Sequence, residues 1–91
     1  MTSQIVQKNY IVQDKGICNG QPRIAGTRLK VQHIALEYEY RGWTPGQICD
    51  AHPEIGLAEV HATISYYYDH KNEIDQTIQE DKEFADRLWQ D

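Results

Sequence analysis

The chain has 91 residues, enough for one small domain with a modest core, and its 40% hydrophobic and 25% charged content excludes disorder along its whole length. Its net charge of -5 is unevenly spread: six Lys/Arg face three Asp/Glu up to Pro45, and three face eleven from Gly46 onward. No apolar run approaches the roughly 20 residues of a membrane helix, so no membrane partner is expected.

Met1 to Lys8 lacks the apolar core of a secretory leader, and a cytoplasmic location is expected. Cys18 and Cys49 are then expected as free thiols rather than a disulfide framework. The β-branched residues between Ile5 and Val12 read as a short strand or an ordered arm. Gly16, Asn19, Gly20 and Pro22 interrupt it with a turn-rich loop. Arg23-Ile24-Ala25 reads as a second short strand, and Gly26 supplies a bend behind it.

A first helix is predicted from about Val31 to Arg41, because Val31, Ile34, Ala35 and Tyr38 recur on one face and Gly42 stands where a helix-stopping glycine belongs. The second helix has the plainest start signal: Thr44-Pro45-Gly46-Gln47 reads as a capping box, with Trp43 set to staple against Ile48. Pro53 disfavours helical geometry at His52 and should end it. A third helix opens near Gly56, with Leu57, Val60, Ile64, Tyr67 and Tyr68 expected along its core stripe. Ile74, Ile78, Ala85 and Leu88 allow a further helix in the acidic C-terminal segment. The reading is a mainly α fold: a tri-helical helix-turn-helix with a short N-terminal β element in residues 1–71, and a helical extension in residues 72–91.

Between Ile17 and Val31 the chain carries the pattern G-x-P-x-I-x-G-T-R-x-x-V, from Gly20, Pro22, Ile24, Gly26, Thr27 and Arg28 to Val31. Gly42-Trp43-Thr44 follows, with Ile48, Pro53 and Leu57 beyond. These blocks resemble the domain-of-unknown-function 433 family, and the resemblance covers about Tyr10 to Asp69. It implies a winged-helix or homeodomain-like helix-turn-helix and a similarity to VapB-type antitoxins. It also implies a PIN-like ribonuclease toxin as partner and repression of the chain's own operon.

Within that frame, Arg23, Arg28 and Lys30 are candidates for phosphate contact. For Arg28 a structural role, pairing with an acidic side chain, is the stronger expectation; for Arg23 and Lys30, plain solvation competes equally. The third helix should turn Glu59, His61, Ala62, Ser65 and Tyr66 away from the core, making His61, Ser65 and Tyr66 the candidates to touch operator DNA. That face is poor in Lys and Arg, so a homodimer is expected to supply the missing charge.

The tail from Asn72 to Asp91 sets seven acids against Lys82 and Arg87, with Phe84, Leu88 and Trp89 interspersed. One expectation is that Phe84, Arg87, Leu88 and Trp89 bind the toxin, the carboxylates standing in for RNA phosphates. The other is an amphipathic helix that closes this protein's own core or a dimer. Cys49, His52 and His61 could suggest a metal site, yet their spacing lacks a closed four-ligand set; no metal or cofactor is expected. No phosphate loop, nucleophile elbow or paired-carboxylate motif is visible, and no enzyme activity is expected. The leading function is an antitoxin-like binder of a nuclease toxin and of promoter DNA. A protein-interaction module without DNA binding and a stand-alone transcriptional regulator are the alternatives.

Overall fold

The computed structural model describes residues 10–89. Part of the predicted Ile5–Val12 arm lies outside them. What is described there is a two-residue strand, β1 (Ile11–Val12), paired antiparallel with β2 (Arg23–Ile24) so that Ile11 faces Ile24. The Gly-Thr pair of the motif closes the next turn. Gly26 takes φ +79, a left-handed conformation that costs a glycine little. Thr27 Oγ1 then donates to the Ile24 carbonyl at 2.8 Å and accepts from the Leu29 amide at 3.0 Å. One hydroxyl thus satisfies two backbone groups of a tight bend.

α1 (Val31–Ala35) buries Val31, Ile34 and Ala35. It runs on into a wider π-helical turn, Leu36–Tyr40, where the sequence predicts a regular helix. Gly42, at φ +73, stands just past the Arg41 cap and stops the helical stretch as expected. α2 (Pro45–Ala51) starts on the predicted capping box: the Gln47 amide donates to Thr44 Oγ1 at 3.2 Å, and the Thr44 amide donates to Gln47 Oε1 at 2.8 Å. It stops before Pro53, with His52 in non-helical backbone at φ -127 and ψ 79. His52 Nε2 lies 2.9 Å from a Glu37 carboxylate oxygen, tying the end of α2 back to the π turn.

α3 (Leu57–Asp69) is opened by Glu59, whose carboxylate accepts from the Gly56 amide at 2.9 Å. Its buried positions are Val60, Thr63 and Tyr67. Here the predicted stripe needs correction. Leu57 is 54% exposed and Tyr68 is also exposed, whereas Thr63 is fully buried. The core face is rotated toward Thr63, which can sit there because its hydroxyl donates to the Glu59 carbonyl at 2.6 Å. Val60 and the half-buried Ile64 face the core as expected.

One residue, His70, separates α3 from α4 (Lys71–Leu88). The core has two lobes with α1 contributing to both. Ile24, Ile34, Ile48, Ile55 and Val60 form the first, with Trp43 packed against it. Val31, Ala35, Tyr67 and Ile74 form the second. The first half of α4 therefore belongs to the domain, and a boundary at 71/72 falls at the start of a packed helix. Among the described residues, the structure is four helices, one continued by a π turn, and a two-stranded antiparallel sheet near the N-terminus.

Candidate protein-binding surface

α4 is held at its beginning by groups that converge on Asp75. Tyr67 Oη donates to its Oδ1 at 2.6 Å and Tyr40 Oη at 3.0 Å, while Lys71 Nζ approaches Oδ2 at 2.6 Å. Burial by itself would raise the Asp75 carboxyl, but these three donors outweigh it and hold the group below its ordinary range. The same arrangement, burial first and then the Asp75 bond, pushes the Tyr67 phenol well above its usual value. Ile74 is buried beneath, Ile78 packs at the edge, and Gln32 Nε2 donates to Asp81 Oδ2 at 2.6 Å.

Past that point, among the described residues, α4 has nothing to lean on. Every described residue from 79 to 89 is exposed, including Phe84 at 57%, Leu88 at 66% and Trp89 at 87%. Exposed single hydrophobics are ordinary, but three on one helical tip form a patch. Ala85 and Leu88 continue the line of Ile74 and Ile78, so the face that docks in the first half of the helix is bare in the second. Around it stand Glu80, Asp81, Glu83 and Asp86 against Lys82 and Arg87. Phe84, Arg87, Leu88 and Trp89, the candidate partner residues, are all on this tip.

A cavity of about 470 Å³ opens where the loop before β2 meets α3 and α4. Gln21, Gln32, Tyr66, His70, Glu73 and Thr77 are among its walls. The Tyr66 and His70 rings stack at 4.0 Å with 20° between their planes, and His70 Nδ1 lies 3.0 Å from the Tyr66 carbonyl oxygen. Burial, and then the neighbouring Glu73 carboxylate, raise the Tyr66 phenol. Sequence reasoning missed this site. The i, i+4 spacing of Tyr66 and His70 was its one visible signal.

The DNA-facing candidates do not come together. Arg23 is buried: Nη2 meets Asp14 at 2.6 Å, Nη1 donates to the Thr27 carbonyl at 3.1 Å, and Nε has no partner among the described residues. It braces the β hairpin and is neither solvated nor free for a phosphate. Arg28 is exposed, and no ion pair holds it among the described residues. Lys30 is half-buried in the residue before α1. His61 and Ser65 are exposed, whereas Tyr66 turns toward α4 and packs on His70. Cys18 and Cys49 are free thiols, and no metal-binding cluster of His, Cys, Asp or Glu exists among the described residues. No helix among them is long and apolar enough to cross a membrane.

The family model described as "Protein of unknown function (DUF433)" matches residues 11–67. The chain belongs to the DUF433 family. A crystal structure of a DUF433 member protein from Anabaena variabilis ATCC 29413 superimposes with a TM-score of 0.71 at 28% identity, covering 79% of this chain and 70% of that one. No curated protein matches this chain. The DUF433 match spans the hairpin through Tyr67, so the bare tip of α4 lies beyond it, while the cavity is walled from both sides of that limit.

Proposed function

We propose that this DUF433 protein is an antitoxin-like binding protein that grips a PIN-like ribonuclease with the free half of α4. The observation that carries the reading is the exposed trio Phe84, Leu88 and Trp89 on a helix rich in carboxylates. Large apolar anchors ringed by charge are what a protein partner desolvates, and excess acid suits a basic, RNA-binding cleft. The test is co-expression with a PIN-like ribonuclease encoded beside it. The intact chain should co-purify with the nuclease and suppress its toxicity. Leu88→Asp with Trp89→Asp, on positions that touch no core, should abolish both. Full neutralisation by the double variant would overturn the proposal.

A second component is promoter DNA. α1 to α3 support a reading as a tri-helical helix-turn-helix, with α2 capped at Thr44 and His61 and Ser65 exposed on α3. From Gly42 to His70 the chain has no Lys or Arg, so phosphate contact would fall to Arg28 and Lys30, doubled by a homodimer. Affinity for its upstream DNA that falls steeply with salt supports this component. Salt-independent or absent binding leaves a module that binds protein alone.

A further inference from the structure

We infer that the cavity between the β2 loop and α4 receives an arginine side chain from a partner segment lying along α4. The inference rests on the nuclease-binding reading for who the partner is, but the chemistry of the cavity stands apart from it. Among the described residues, no Lys or Arg lines the cavity and no cation is paired to the Glu73 carboxylate. That disfavours an anion and suits a cation. The Gln32 amide is oriented by its bond to Asp81, which engages Nε2 and leaves Oε1 as an acceptor. A stacked Tyr66–His70 pair provides a flat aromatic wall. A planar group with several in-plane donors uses all three features at once: it stacks on the rings, pairs with the carboxylate and donates to the amide oxygen. Guanidinium has that shape; an ammonium is a point charge that uses only the carboxylate.

The cavity also joins the bare tip. His70, Glu73, Thr77, Asp81, Phe84 and Leu88 follow one another at intervals of three or four residues, the spacing of one line along a helix. The apolar tip and the mouth of the cavity are thus two ends of a single track. From Thr77 to Leu88 the track is about 16 Å long at the rise of an α-helix. An extended partner strand covers that in about five residues. A segment that seats an apolar side chain over Leu88 therefore brings a residue about five positions away to the cavity.

The probe is N-acetyl-arginine amide titrated into the 15N-labelled full chain, with N-acetyl-citrulline amide as its neutral counterpart. Expected are amide shifts centred on Gln32, Tyr66, Glu73 and Thr77, with arginine bound at least about tenfold more tightly than citrulline. Glu73→Gln should weaken arginine by about tenfold, and Thr77→Trp should fill the cavity and abolish binding, both with unchanged circular dichroism melts. Absent shifts, or citrulline binding equal to arginine, would overturn the inference. The two readings fail separately. A nuclease complex undiminished by Thr77→Trp ends the arginine seat and leaves the partner reading standing. Arginine binding by a chain that captures no nuclease does the reverse.

Discussion

The two halves of α4 are built from similar residues and live in opposite surroundings. Ile74 is buried against Val31, Ala35 and Tyr67, and Asp75 beside it is held by two phenols and a lysine. Leu88 lies on the same helical line but is 66% exposed, and among the described residues Asp86 beside it has no side-chain bond to another element. The difference teaches that amphipathic patterning specifies a face that wants covering, not what covers it. The domain's own core ends near Ile78, and the pattern continues past it.

That contrast can be broken by substitution. Ile74→Ala should cost about 2–4 kcal/mol in urea denaturation by opening a cavity in the second core lobe. Leu88→Ala should stay within about 0.5 kcal/mol of the parent, because Leu88 is 66% exposed and belongs to neither core lobe. Equal losses at both positions would mean that the tip is covered in solution. A smaller effect is expected at the start of α2, where Thr44→Ala removes the capping hydroxyl at a cost of about 1 kcal/mol. It should leave partner binding by α4 unchanged, as read by co-purification.

A pH series sharpens the comparison further. The Asp75 carboxyl is depressed in the folded state, so its contribution is present above the ordinary carboxylate pKa and is lost as pH falls through the depressed value. Asp75→Asn should flatten that acid limb of the stability curve, as read by urea denaturation across a pH series. The slightest expected effect is spectroscopic: Trp89, 87% exposed, should be open to acrylamide quenching and Trp43 much less so. A bound nuclease should shield Trp89 alone.

The sequence was legible wherever a local rule acts by itself. The capping box at Thr44, the stop before Pro53 and the bends at Gly26 and Gly42 each follow from the needs of a few neighbouring backbone groups, and each stands in the structure. The α3 core stripe was misread because hydrophobicity favoured Leu57 and Tyr68 over Thr63, whose hydroxyl is satisfied by its own helix. Arg23 looked like a surface cation; its pairing to Asp14 joins residues nine apart through a hairpin that spacing does not reveal. The cavity was illegible for the same reason, since its walls come from the β2 loop, α1, α3 and α4. The bare tip was legible in its composition, but its exposure is a tertiary fact.

A helix end that packs on no described element is expected to open at low free energy, so the turns around Phe84 should unwind and re-form in the isolated chain far more readily than the turn around Ile74. A protease would therefore begin at that end, and hydrogen exchange there would run ahead of the turn around Ile74. A partner bound at Leu88 and Trp89, as proposed, would then set the chain's lifetime as well as its occupancy. Survival of the unbound molecule would become a measure of how much partner is present.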